Sequence, residues 1–103
     1  MLGILSMVCL NLFSQNRITF SVKDVTTQDI LTGVNIYFPE LEKGTISDIN
    51  GNGSLSNLPD GTYEVSFSYI GYESRLLTLT FPHTENFLII ELNQNISGLE
   101  EVI

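Results

Sequence analysis

The chain has 103 residues, with 12 Asp and Glu against 4 Lys and Arg and a net charge of −8. That length suits one small domain, and so few cations exclude nucleic acid and anionic membrane surfaces as expected partners. One cysteine, Cys9, and one histidine, His83, leave no disulfide, no cysteine-based metal site and no site that needs two histidines.

Residues 1–14 read MLGILSMVCLNLFS. This apolar run is long enough for the hydrophobic part of a signal peptide and too short to span a bilayer as a helix. It departs from the usual pattern in lacking a basic start and in placing Leu12 three residues before a cleavage after Ser14. The expectation is an export signal over 1–14. Export from the cytoplasm follows, with no transmembrane segment in the mature chain. Cys9 does not read as a lipoprotein cysteine, because Val8 is too large for that box and too little apolar sequence precedes it. The domain itself is expected over 15–95, with 96–103 beginning a linker.

Residues 17–25 alternate, with Ile18, Phe20 and Val22 on one face and Thr19, Ser21 and Lys23 on the other, which predicts a first strand. A polar connection follows over 26–33, and Ile30 and Leu31 are expected to tuck beneath it. Val34, Ile36 and Phe38 mark a second strand that Pro39 ends. Residues 41–43 connect onward, Gly44 reads as a turn, and 45–48 as a short third strand. The run Asp48-Ile49-Asn50-Gly51-Asn52-Gly53 is a dense turn signal. Leu55, between Ser54 and Ser56, marks a fourth strand.

Leu58-Pro59-Asp60-Gly61-Thr62 is the next turn: proline presets φ, aspartate bonds its own backbone, and glycine accepts positive φ. Tyr63, Val65, Phe67 and Tyr69 then alternate with Glu64, Ser66 and Ser68, so the fourth and fifth strands are expected to form a hairpin. Ile70-Gly71-Tyr72 bends the chain. Residues 73–81 form a sixth strand, Pro82-His83-Thr84 a turn, and 86–92 a last strand whose run Phe87-Leu88-Ile89-Ile90 suggests burial on both faces. Short strands with regular turn signals argue for an all-β sandwich.

Asp48-x-Asn50-x-Asn52-Gly53 matches the first half of a calcium loop. The twelfth position, which should be a bidentate glutamate, is Pro59, and the flanks are strands rather than helices, so the stretch reads as a turn that needs no ion. Tyr37, Tyr63, Tyr69 and Tyr72 could make a sugar platform, but core and cross-strand packing is their commoner role. No serine sits in a nucleophile elbow, and His83 reads as a turn residue. No enzyme activity, cofactor or metal is expected.

Five motifs in order resemble one family. They are Val22-Lys23-Asp24 followed by Leu31-Thr32-Gly33-Val34-Asn35-Ile36; Thr45-Ile46-Ser47-Asp48-Ile49-Asn50-Gly51; Leu58-Pro59-Asp60-Gly61-Thr62-Tyr63; Phe67-Ser68-Tyr69-Ile70-Gly71-Tyr72-Glu73; and Leu99-Glu100-Glu101-Val102-Ile103. Together the stretch resembles the carboxypeptidase-regulatory-like domain, as found at the N-terminus of Bacteroidetes TonB-dependent outer-membrane receptors. It departs from the pattern at Ile30, where a proline is usual, and in the extra Asn52-Gly53. The resemblance implies a seven-stranded, Greek-key, transthyretin-like sandwich that takes no part in catalysis. Its signature positions here are Asp48, Gly51, Pro59, Gly61, Tyr63, Tyr69, Gly71 and Tyr72. The implied role is protein interaction in nutrient uptake, in the periplasm or associated with the outer membrane, with envelope proteins, a receptor plug and barrel, and the energy-coupling machinery as partners. The chain is then expected to be a fragment or truncated form of such a receptor. The alternatives are a free-standing secreted glycan- or peptide-binding module and the accessory domain of a peptidase.

Overall fold

The computed structural model describes residues 16–95. The export signal expected over 1–14, Cys9 with it, and the linker over 96–103 lie outside the described residues. Within them, seven strands form: β1 (Asn16–Asp24), β2 (Asn35–Phe38), β3 (Lys43–Ile46), β4 (Asn52–Leu58), β5 (Gly61–Ser68), β6 (Arg75–Phe81) and β7 (Phe87–Leu92). They make two facing sheets, ordered β4-β1-β7 and β3-β2-β5-β6. This is the all-β, seven-stranded Greek-key sandwich that the sequence predicts.

Alternation builds the core. Ile18, Phe20 and Val22 of β1 and Ile90 and Leu92 of β7 point inward from one sheet. Ile36, Phe38, Val65, Phe67, Leu79 and Phe81 meet them from the other. Phe20 packs edge-on against Phe67, with ring centroids 5.0 Å apart and planes at 79°. Such a pair adds about 0.5–1.5 kcal/mol beyond its buried area. In β4 the inward residues Leu55 and Leu58 are three apart, an odd spacing that a plain strand cannot place on one face. A ladder irregularity between Asn16 and Ile18, opposite Leu58 and Leu55, and the positive φ of 57° at Asn57 absorb the extra residue as a bulge.

Four sequence expectations are corrected. First, β4 and β5 are not a hairpin. β4 pairs with β1, whereas β5 lies between β2 and β6, so Pro59 and Asp60 carry the chain from one sheet to the other. Turn chemistry specifies that the chain reverses, not which strand it reverses onto. Second, β3 runs over Lys43–Ile46, with Gly44 inside it opposite Tyr37. The turn is made earlier, where the Leu41 and Glu42 amides donate to the Phe38 and Pro39 carbonyls. Third, β7 is buried on one face only: Ile90 and Leu92 are inside, while Phe87 and Ile89 are 49% and 57% exposed. Fourth, Leu31 is buried but Ile30 is exposed. Ile30 bridges to Lys23 in extended backbone, where neighbouring side chains take opposite faces.

The connections over 25–34, 47–51 and 69–74, together with the exit at 93–95, gather at one end of the sandwich. Buried Ser47 organises that end. Its hydroxyl donates to the Leu31 carbonyl (2.8 Å) and accepts from the Val34 amide (2.9 Å).

Candidate functional site

β1 alternates inward at Ile18, Phe20, Val22 and then Asp24, so the pattern that builds the core drives a carboxylate to its edge. Asp24 is 1% exposed. A buried carboxylate must have its lone pairs filled. Here Oδ1 accepts from the amides of Thr26 (2.7 Å) and Thr27 (2.9 Å) as the chain turns out of β1. Oδ2 accepts from the Tyr72 hydroxyl (2.6 Å) and from Gln94 Nε2 (2.9 Å). Among the described residues no cation takes part. The Tyr72 hydroxyl above all, then Gln94 and the two amides, hold the Asp24 carboxyl well below the usual carboxylate range, against the opposing effect of burial. In return the hydrogen bond to Asp24, with burial and the carboxylate's charge, pushes the Tyr72 phenol up.

The same end holds the exit. Tyr72 and Gln94 form an antiparallel bridge, flanked by Glu73 N donating to Asn93 O (2.8 Å) and Asn95 N to Gly71 O (2.9 Å). The Tyr72 ring lies 5.6 Å from that of Tyr69. Asp24 thus gathers the end of β1, the loop after β5 and the segment after β7.

The other sequence candidates stand apart from it. Asp48 Oδ1 accepts from the amides of Asn50 (2.9 Å) and Asn52 (3.0 Å), and Gly51 N closes the turn on Asp48 O (2.8 Å). Gly51 takes φ +80° there. Among the described residues no group of three or more His, Cys, Asp or Glu could hold a metal ion. The tyrosines do not form one platform. Tyr63 donates to the Asp60 carbonyl (2.9 Å) at the end opposite Tyr69 and Tyr72, and Tyr37 lies on the outer face of β2. Gly61 opens β5 beside Tyr63, Pro59 sits in the crossing between sheets, and Gly71 takes φ +85° in the bend. His83 lies in the β6–β7 turn, with Nδ1 near the amide and carbonyl of Glu85. In the sequence Asp24 is marked only as part of the motif Val22-Lys23-Asp24. The available signal was its parity, since a carboxylate on the inward phase of an apolar strand needs dedicated donors.

One further surface stands out. β7 pairs with β1 on one side, and no described strand pairs with its other side. Asn86 and Leu92 turn their carbonyls to the amides of Thr19 and Val25. By alternation, the backbone groups of Phe87, Ile89 and Glu91 point outward. Arg75 Nη1 occupies the Glu91 carbonyl (3.2 Å) and Glu73 N the Asn93 carbonyl, so the exit half of this edge is blocked. Among the described residues nothing covers the half at Phe87 and Ile89, which is apolar. It ends at a shallow depression of about 290 Å³ lined by Arg17, Ile18, Thr19, Asn86 and Phe87. Among the described residues no helix is long and apolar enough to cross a membrane.

A family model for the CarboxypepD_reg-like domain matches residues 18–103. No curated protein matches the chain. Among solved structures, the Streptococcal ancillary pilin is similar over 81% of this chain and 30% of its own (18% identity, TM-score 0.61). The shaft pilin SpaA from Lactobacillus rhamnosus GG is similar over 79% of this chain and 46% of its own (16% identity, TM-score 0.58). The Bacillus anthracis TIE protein is similar over 79% and 17% (17% identity, TM-score 0.56). At these identities the likeness is one of fold, and the chain spans less than half of each of these proteins.

Proposed function

Because the chain belongs to the CarboxypepD_reg-like domain family, we propose that it is a non-catalytic interaction module, exported to the periplasm as the N-terminal extension of a TonB-dependent outer-membrane receptor. Its partners are envelope proteins, including the receptor's own plug and barrel and the machinery that energises uptake. The observation that carries the reading is the half-open edge of β7. Exposed Phe87 and Ile89 and their outward backbone groups offer a place for strand addition, while Arg75 and Glu73 restrict where it can occur. The apolar run over 1–14 supports export. Asp24, Tyr72 and Ser47 are each engaged in internal hydrogen bonds that tie loops to the end of the sandwich, which supports a structural role for them.

A photo-crosslinker placed at Phe87 or Ile89 in living cells tests this, with Thr62 on the other sheet as control. Adducts with envelope proteins are expected from the two β7 positions only. Cytoplasmic protein, or equal labelling from Thr62, sinks the proposal. Sequencing the DNA past the codon for Ile103 tests the receptor context separately, and a plug-and-barrel reading frame is expected. Without one, the same edge would belong to a secreted peptide-binding module.

A further inference from the structure

We propose that the Asp24 carboxylate is a lock on the way out of the sandwich. It holds residues 93–95 against the loop 71–73, so that the chain leaves in one fixed direction, and it can open while the two sheets stay folded. The last rung of the β1–β7 ladder is Asp24 with Leu92, followed by Val25 N on Leu92 O. Among the described residues no strand guides the chain beyond it, and Asn93, Gln94 and Asn95 are exposed. Apolar burial therefore does little to order them. Their order rests on polar ties: two backbone hydrogen bonds to the loop 71–73, and the Gln94 amide on Asp24. A bridge this short at a surface frays by itself. One oxygen, Asp24 Oδ2, takes a donor from each side of the bridge, Tyr72 from the loop and Gln94 from the exit. It pins both to the end of β1, which is the middle strand of its sheet. The Tyr72 ring packs against the core, but its hydroxyl and the Gln94 amide serve only Asp24, so a variant that removes either donor leaves the core packing in place.

Hydrogen exchange and backbone order parameters measured by NMR on the full chain test the lock in Gln94→Ala and Tyr72→Phe. In both variants the Glu73 and Asn95 amides are expected to exchange at least ~10-fold faster. Order parameters over 93–95 are expected to fall from about 0.85 to below about 0.6. The Val65 and Phe67 amides should keep their protection. If Glu73 and Asn95 stay protected in both variants, Asp24 is not the lock. If Val65 and Phe67 lose protection to the same extent, the cluster is ordinary core and the proposal is overturned as well.

Discussion

The Tyr72 hydroxyl donates to Asp24 Oδ2 over 2.6 Å, joining the end of β1 to a loop 48 residues further along the chain. The two groups shift each other in opposite directions, which makes folding stability depend on pH at both extremes. The Asp24 carboxyl titrates lower in the folded chain than in the unfolded one, so folding favours its ionised form. That contribution is present above about pH 4 and is lost as the pH falls below it. The Tyr72 phenol titrates higher when folded, so folding favours its protonated form. That contribution is complete below about pH 10 and is lost as the pH rises beyond it. In urea unfolding across pH, Asp24→Asn should flatten the acid limb and Tyr72→Phe the alkaline limb. An Asp24→Asn protein with an unchanged acid limb would contradict this account.

Gly51 and Gly71 both hold positive φ, +80° and +85°, but in different surroundings. A Cβ on Gly51 would run into Ile30 Cγ2 and lie 3.1 Å from the Val22 carbonyl, whereas one on Gly71 meets nothing within 4 Å. Gly71→Ala should therefore cost only backbone strain, about 1–2 kcal/mol. Gly51→Ala should cost more, since the turn must shift as well. Denaturation midpoints of the two variants check the order, and equal losses would rule out the steric contribution.

Phe20 is fully buried and contacts the other sheet through Phe67 and Phe38, at centroid distances of 5.0 and 6.4 Å. Phe20→Ala should cost about 3–5 kcal/mol, a large part of the stability of a domain this small. Loss of a cooperative melting transition at physiological temperature is the expected result. A shift of only a few degrees would mean that the sheets close over the cavity.

At Asp48 the carboxylate serves the turn through the amides of Asn50 and Asn52. Asp48→Ala should lose about 1 kcal/mol, and Asp48→Asn, which keeps an acceptor oxygen, much less. Millimolar calcium should leave the melting temperature of the unaltered chain unchanged. A rise that Asp48→Ala abolishes would restore the ion-binding reading.

Much of the fold is legible because alternation at Ile18, Phe20 and Val22, or at Val65 and Phe67, reports burial directly. Partner choice is not legible in the same way. Leu58-Pro59-Asp60-Gly61 would read alike in a hairpin and in a crossing between sheets, because its chemistry concerns local φ and ψ and not the ladder beyond. The apolar run Phe87-Leu88-Ile89-Ile90 misleads for a related reason: β7 is an edge strand, and only its inward phase meets the facing sheet. The site was half visible. Tyr72 stands out beside Gly71 and Asp24 by its inward parity in β1, but they lie 48 residues apart and no local pattern pairs them.

β1, the first strand of the domain, is completed by β7, the last, lying parallel to it from Thr19 opposite Phe87 to Asp24 opposite Leu92. The β4-β1-β7 sheet therefore cannot finish forming until residue 92 has been synthesised. While residues 25–92 are being made, β1, the middle strand of its sheet, lacks the neighbour it has on that side in the folded domain. Closure of so distant a pair is slow compared with local pairing. The other pairings, within β3-β2-β5-β6 and between β1 and β4, need nothing beyond residue 81, so the arrival of Phe87 to Leu92 is the step that closes the sandwich.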